Sequence, residues 1–576
     1  MNAVTRTKRF LSGKGKPLGV AVSLIPALVA AYIMLYYIWG PAEGYFHSDC
    51  TDNLLWADVS VDTGRVFDET FRYAGMLPFS ATVWMIPLVR AFGVSMIAQN
   101  IGMSVFALIY LASVLFFCRS AGFGTGWSSL ASFASVCAMS ASDKLREIMY
   151  GHNIYYSIGP CVLFFLLGLI LRMSRRAEDP EQRKTLWAKL LLACSAAAVA
   201  ALSAGAATDG SQVIVIGTLP AVAGVIAERF FSRERLLSKK NLSVAFAAGL
   251  FAVGTLAGMI LLKIWKGDIE CGYAEAYSGW SDIGTWADNA RAFVKQYFTL
   301  IGVSPKGSLF SFESVVTMLR MLGGVMIIAV PVVMFFFYKR LSGPAVRALL
   351  WGHTVVFCAV TFGFVCGKLS GANWRLTPIL ATGSALCVAA ARELFAAGRA
   401  KPDSEDKDEK KEDARGGSVP VRVGALLIAS VLCFSAIVSL EILKMPADYG
   451  RDNYRHQLAA FLEEKGLEYG YATFWQSQAI TALSDSRVRC REILTNDKNG
   501  VYTDYYQSSR RWYTGQNYEK YFVLLSDAEY AKVRSTESWL KLTGSMLIAE
   551  YTPDDGLYPG FRVFVFSGNP LDQQAG

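Results

Sequence analysis

The sequence predicts a polytopic α-helical membrane protein of about eleven transmembrane helices, N-terminus inside and C-terminus outside, carrying a small C-terminal α/β extracytoplasmic domain. Three observations predict it. Apolar runs of about twenty residues recur along the chain, Lys and Arg gather beside alternate ends of those runs, and residues 445–576 turn polar and mixed. With 53% hydrophobic and only 18% charged residues among 576, a soluble multidomain enzyme, a disordered chain and a secreted disulfide scaffold are excluded. The net charge of +9 does not point to nucleic acid, because the cations flank apolar runs, where they set orientation.

The first run, Leu18–Trp39, follows Arg6, Lys8, Arg9, Lys14 and Lys16. It is too long for a signal-peptide core and lacks a small-residue cleavage site, so it is expected to stay as an uncleaved helix with its N-terminus inside. Ten further spans are expected at Val94–Phe117, Trp127–Ser140, Ile154–Met173, Ala188–Ala207, Val213–Ala227, Val244–Ile264, Val315–Phe337, Ala345–Cys366, Leu376–Leu394 and Val421–Leu440. The loops this assigns to the cytoplasm hold Arg172, Arg175, Arg176, Arg183 and Lys184, then Arg229, Arg233, Arg235, Lys239 and Lys240, then Lys339, Arg340 and Arg347. Cytoplasmic loops are enriched in such cations, which supports an odd number of spans. Leu77–Gly93 is apolar but short, carries two prolines and Arg90, and would invert every later loop if it crossed, so it reads as an interfacial helix on the outer surface.

Residues 401–420 form a charged cytoplasmic linker, expected to be disordered, between the body of the protein (1–400, with a large first outer loop at 40–93) and the last span (421–444). The extracytoplasmic domain, 445–576, shows helical patterning at Tyr454–Lys465 and Phe474–Leu483 and strand-like runs at Tyr521–Leu525 and Phe561–Phe566. The loop Lys266–Phe312 faces the same side. Of eleven cysteines, seven lie in or at the ends of apolar runs, no CxxC motif occurs, and only Cys50, Cys271 and Cys490 fall clearly in aqueous segments.

Ionisable groups beside a membrane cost free energy, so the topology is used to sort them. The first outer loop holds His47, Asp49, Asp52 and Asp58; the second holds Asp143, Lys144, Arg146, Glu147 and His152. The third carries Asp209, and the loop before the tenth span carries Lys368, Trp374 and Arg375. Carboxylates, cations and aromatics thus converge at the outer mouth of a helical bundle. One Asp can deprotonate an acceptor hydroxyl while cations hold a departing phosphate. Arg375 offers a fork of donors to phosphate oxygens, with Lys368 as a second candidate, and His47, Glu147, His152, Asp209 and Trp374 are expected to shape the site. The plainer alternatives stay open: Asp49 and Asp52 as caps of the helix start at Thr51, Glu147 and His152 as loop hydrogen-bonding partners, and Trp374-Arg375 as an interfacial anchor. As a metal site the D-x-x-D spacing is weak, so no metal ligand is assigned and a divalent cation is the one cofactor left open.

This arrangement resembles the GT-C superfamily of membrane glycosyltransferases, which includes protein O-mannosyltransferases and bacterial aminoarabinose transferases acting on lipid A. The resemblance covers roughly residues 1–400 and rests on the inside N-terminus, on the acidic positions Asp49 and Asp52 soon after the first span, and on LPFSATVWMIPLVRAFGVS, which looks like the family's proline-rich amphipathic segment. It implies a polyprenyl-phosphate sugar donor, an inverting transfer and a catalytic Asp in the first outer loop, Asp49 first and Asp52 second. This chain carries D-x-x-D where the family's best-known members often show an adjacent acidic pair. The acceptor is a cell-envelope glycan, a lipid or a protein; membrane lipids are the other partner, nucleic acid is not, and a bacterial inner membrane suits the composition. The alternative from another class is a transporter or flippase of lipid-linked saccharides. Its ionisable residues would sit near the midplane, whereas here they collect at one end of the spans.

Overall fold

The computed structural model describes residues 16–152, 155–178, 185–232, 238–269, 279–303, 310–369, 371–399 and 407–571. Arg183, Lys184, Arg233, Arg235, Cys271 and the start of the charged linker, named above, lie outside the described residues.

The chain opens with α1 (Lys16–Trp39) and continues through the first outer loop with α2 (Asp52–Thr63) and α3 (Val83–Phe92). The bundle follows as α4 (Met96–Ser120), α5 (Thr125–Ala138), the short α6 (Asp143–Tyr150), α7 (Tyr155–Glu178), α8 (Leu186–Thr208), α9 (Ser211–Phe231) and α10 (Lys239–Lys266). After α11 (Trp286–Leu300) come α12 (Phe312–Phe336), α13 (Pro344–Val365), α14 (Thr377–Arg399) and α15 (Lys407–Lys444). Among the described residues, ten helices are long and apolar enough to cross a membrane, and they match ten of the eleven expected spans.

The eleventh, Trp127–Ser140, differs. Its helix α5 has 14 residues, about 21 Å at 1.5 Å per residue, against a hydrocarbon core of about 30 Å. It still returns the chain across the bundle, from the Arg119 end of α4 to the end where Ser140 Oγ meets Tyr150 Oη at 2.7 Å. It manages this because protein surrounds it on several sides: α1, α4, α14 and α15 pack around it, Ser128 and Ser132 bond back along the helix to the Gly124 and Ser128 carbonyls at 3.1 and 3.0 Å, and Ser135 donates to the Ala381 carbonyl at 3.2 Å. Irregular or polar backbone is tolerated at membrane depth where protein encloses it.

The passes alternate in direction. At one end Tyr36 Oη donates to the Met445 carbonyl at 2.8 Å, tying the end of α1 to the end of α15. At the other, Arg172 Nε donates to Ser120 Oγ at 2.7 Å and Arg347 pairs with Glu228 at 2.9 Å. The expected cytoplasmic cations thus stand opposite the C-terminal domain. Helices α8 and α10 pack closely: a Cβ on Gly254 or Gly258 would strike the carbonyls of Ala200 and Ala204, and small residues at four-residue spacing let helix backbones approach in this way.

Two loop expectations change. The charged linker from Lys407 onward is helical and continuous with the last span. The Lys266–Phe312 loop contains α11, which buries Phe293, Tyr297 and Leu300. Leu77–Gly93 folds as a π-turn, Pro78–Thr82, leading into α3, whose ten residues reach about 15 Å, too short to cross. Met85 and Val89 face the protein while Val83 and Phe92 are exposed, the two-sidedness of a helix lying on an apolar surface.

The C-terminal domain adds helices α16 (Tyr454–Glu464), α17 (Phe474–Leu483), α18 (Asp527–Val533) and α19 (Glu537–Met546) to six strands. The strands are β1 (Tyr469–Ala472), β2 (Arg489–Asn496), β3 (Gly500–Thr503), β4 (Tyr521–Ser526), β5 (Leu547–Tyr551) and β6 (Phe561–Phe566). They form one mixed sheet in the order β3-β2-β1-β4-β6-β5, with β1 parallel to β2 and β4. The domain docks on the first outer loop. Asn453 Nδ2 donates to the carbonyls of Glu43 and Phe46 at 3.0 and 2.9 Å. Asp485 accepts the Met96 amide at 3.0 Å, and bridges join Phe71 to Ser509 and Arg72 to Tyr506.

Candidate active site

Phe46 to Thr63 is the segment that aims the first carboxylates. A 3-10 turn, Ser48–Thr51, runs directly into α2, whose buried face of Leu54, Leu55, Trp56 and Val59 fixes its rotation. Ser48 Oγ donates to the Phe474 carbonyl of the C-terminal domain, and Asn53 Nδ2 donates to the His152 carbonyl at 2.9 Å. The cap residue Thr51 makes no side-chain capping bond, and Asp49 and Asp52 have no ion pair among the described residues. The two carboxylates are therefore not spent as helix caps. They face a cavity of about 190 Å³ together with Lys144, Glu147, His152, Trp374, Arg375, Tyr506 and Gln507.

Glu147 is the most heavily partnered group there. Ser142 caps α6 by accepting the Leu145 amide at 3.3 Å, which sets Glu147 against Lys144 Nζ at 2.6 Å, His152 Nε2 at 3.1 Å and His47 Nε2 at 3.6 Å. Burial works against its charge, but the His152 and His47 hydrogen bonds and the Lys144 cation hold the carboxyl far below the usual range. Burial likewise opposes a charged His47, and Cys50 with Glu147 outweighs it and raises that imidazole. Glu147 is thus a fixed anion held by Lys144 and two imidazoles, unsuited to trading protons near neutrality.

Asp52 is different. Its Oδ1 has no hydrogen-bond partner among the described residues. Burial pushes its carboxyl up to about 7, opposed by His152 and reinforced by the charge of Asp49. Such a group can hold or release a proton at neutral pH.

Arg375 comes from the turn Asn373–Leu376 before α14 and is 6% exposed. Its Nη1 donates to Tyr156 Oη at 2.6 Å, so α7 orients the guanidinium toward the cavity. Trp374 beside it carries Lys144 Nζ 4.9 Å from its ring centre.

Six of the nine residues expected at the site line this cavity: Asp49, Asp52, Glu147, His152, Trp374 and Arg375. His47 lines a neighbouring cavity of about 140 Å³ and touches the site through Glu147. Asp209 does not line it. Its carboxylate accepts the amides of Phe79 and Ser80 at 2.8 and 2.7 Å and the Ser80 hydroxyl, capping the π-turn before α3; burial pushes it up to about 7, against those hydrogen bonds. Lys368 is also elsewhere, because the turn at Gly367 (φ +84°) carries its ammonium to 5.4 Å from the Trp280 ring centre. The second cation in the cavity is Lys144, gathered with Glu147 and His152 by the loop reading but given no role there, and set three residues from Glu147 on one helix face. Tyr506 and Gln507, from the C-terminal domain, also reach the cavity. Gln507 holds φ +48° and keeps Oε1 buried without a hydrogen-bond partner among the described residues. Among the described residues, no three His, Cys, Asp or Glu side chains group as a metal site.

Neither a family model nor a curated protein sequence matches the chain. Solved structures do match its fold. The ArnT of Cupriavidus metallidurans bound to undecaprenyl phosphate aligns with a TM-score of 0.50 at 12% identity, over 97% of this chain and 99% of that one. The apo form of the same protein gives 0.49 at 13% identity, over 98% and 99%. The Archaeoglobus fulgidus oligosaccharyltransferase in complex with zinc and sulfate gives 0.43 at 12% identity, over 92% and 72%. The protein is a multi-pass membrane protein, with ten apolar helices of spanning length among its described residues. Its fold is GT-C-like, and the end-to-end coverage of the first match includes the C-terminal domain.

Proposed function

We propose that the protein is a membrane glycosyltransferase that moves a sugar from a polyprenyl-phosphate donor to an acceptor hydroxyl at the extracytoplasmic face of a bacterial cell membrane. The observation that carries this reading is the cavity at the bundle's mouth, where two carboxylates without ion pairs among the described residues share a wall with a buried guanidinium and an ammonium.

The chemistry follows from the charges. The acceptor oxygen attacks the anomeric carbon on the face opposite the phosphate, so one displacement inverts that centre. Asp52 takes the acceptor's proton, because its buried carboxyl, with a pKa raised to about 7, is a stronger base than an ordinary aspartate. Asp49, first choice from the family resemblance, adds the negative charge that keeps Asp52 basic. As the bond from the anomeric carbon to the phosphate oxygen breaks, Arg375 and Lys144 stabilise the growing negative charge on the phosphate. Glu147, held by His47, His152 and Lys144, braces α6 under the site, and Trp374 supplies an apolar wall. Leu77, just before the π-turn that Asp209 caps, adds a second apolar side chain to the wall.

The test is transfer of radiolabelled sugar from a panel of polyprenyl-phosphate sugars by the purified protein in lipid, beside a D49N/D52N double variant. Transfer by the wild type that disappears in the variant is expected. A correctly folded wild type that turns over no donor in the panel, or a double variant of full activity, overturns the reading.

A further inference from the structure

A second cleft lies on the far side of the 506–512 segment from the candidate active site. It encloses about 350 Å³ between α2, which contributes Asp58 and Asp62, and the C-terminal domain, which contributes Arg489, Arg491, Arg511 and Trp512. Nothing in the proposed transfer uses these residues.

Arg491 is the unusual member. It sits on β2 with 4% of its surface exposed and its guanidinium 3.9 Å above the Trp512 ring. Its Nε and Nη1 have no hydrogen-bond partner among the described residues. The Tyr469 hydroxyl bonds to this guanidinium, yet those two donors stay open, and buried donors are ordinarily satisfied. The next residue, Glu492, projects to the opposite face of the strand, and burial pushes its carboxyl up to about 9, so it supplies no counter-charge. Asp58 feels the charge of Arg491, yet among the described residues no ion pair joins Arg491 to Asp58 or Asp62. Asp58 and Asp62 line the same cleft as Arg491, and Arg489 and Arg511 stand exposed at its rim, with Arg511 Nη2 3.8 Å from Asp68 Oδ2. An oxyanion completes the guanidinium, and Asp58 and Asp62 want donors such as hydroxyls on the same ligand. A bare phosphate would leave the carboxylates unmatched and would be repelled by them.

We propose that this cleft binds an acidic saccharide, its phosphate or carboxylate group seated on Arg491 between Arg489 and Arg511 and its hydroxyls donating to Asp58 and Asp62. Asp58 and Asp62 follow Asp52 by six and ten residues on one helix, which places them about 9 and 15 Å along its axis. The cleft argument does not depend on glycosyl transfer, and its test needs no turnover.

Calorimetric titration of the full-length protein in lipid nanodiscs with glucose 6-phosphate, glucuronate, glucose and inorganic phosphate decides it. Saturable binding of glucose 6-phosphate or glucuronate is expected, with the better of the two naming the acidic group, and with glucose and inorganic phosphate at least tenfold weaker. R491Q and the rim double variant R489Q/R511Q are each expected to weaken that binding tenfold or more, and R491K, which keeps charge without the fork, to weaken it less than R491Q. If R491Q melts early, the exposed rim variant decides alone. Absence of saturable binding by either acidic sugar overturns the proposal, as does equal binding of glucose, equal binding of inorganic phosphate, or unchanged binding in the rim variant.

Discussion

Replacing Asp52 with Asn tests the assignment of the base and has consequences for both rate and stability. With a carboxyl near pH 7, about a tenth of wild-type molecules carry the ionised base at pH 6 and about nine-tenths at pH 8. The kcat/KM for sugar transfer should therefore climb about tenfold per unit at acidic pH and level off above about 8. D52N should lose about 10²–10⁴ of that rate and its dependence on this group. Stability moves the other way. An aspartate in an unfolded chain titrates near 3.9, so between about 4 and 7 the native protein binds more protons than the unfolded chain, and rising pH destabilises it. The full window of about 3 units sets a ceiling of about 4 kcal/mol, which water in the adjoining cavity reduces. D52N should thus melt above the wild type at pH 8, with the gap closing toward pH 4. Radiolabel transfer between pH 5 and 9 and fluorescence-detected melting in detergent measure both quantities. A rate already level at pH 5, or D52N retaining more than a tenth of wild-type activity, would refute the assignment.

Arg375→Lys removes the guanidinium fork and the geometry of its bond to Tyr156, so the donor KM should rise about tenfold with little change in melting; an unchanged KM discards the phosphate clamp. Glu147→Gln removes the anion among His47, Lys144 and His152 and should cost about 1–3 kcal/mol at neutral pH. Because the Glu147 carboxyl lies below its ordinary value, that stability is present above about pH 4.3 and is lost as pH falls below it. Melting curves of both proteins from pH 3 to 7 should converge at the acid end, and a constant gap contradicts the brace. In cells, a membrane-impermeant maleimide should reach a cysteine at Thr514 directly and one at Lys410 only after permeabilisation; labelling of both from the same side overturns the crossing of the last span.

The spans were legible because lipid imposes about twenty apolar residues per crossing and a charge bias at each end. The helix α5 escaped that rule in length, since a segment packed among α1, α4, α14 and α15 does not face the hydrocarbon thickness alone. At the site, residues near one another in outer loops were easy to gather, but a loop position does not say what a carboxylate bonds. Asp209 shows this: nothing in Thr208-Asp209-Gly210 reveals that the amides of Phe79 and Ser80 would point at it. Lys368 shows it too, since a positive-φ turn one residue earlier redirects the chain. Tyr506 and Gln507 reach the cavity through pairing of residues 71–72 with 506–509, a contact across more than four hundred positions that no local pattern encodes. The helices α18 and α19 and strands β1, β2, β3 and β5 were likewise missed, since polar and charged residues interrupt their patterning, as in β2, Arg489–Asn496.

The bond from Ser48 to Phe474 spans 426 residues of sequence. At synthesis rates of about 5–20 residues per second, roughly 20–90 seconds separate the emergence of these two residues from the ribosome. During that interval Asp49 and Asp52 stand on a loop whose buttress is still untranslated, so a nascent or truncated chain presents a half-built cavity. A chain interrupted before residue 474 lacks that buttress, so the carboxylate-bearing segment is completed only together with the last domain.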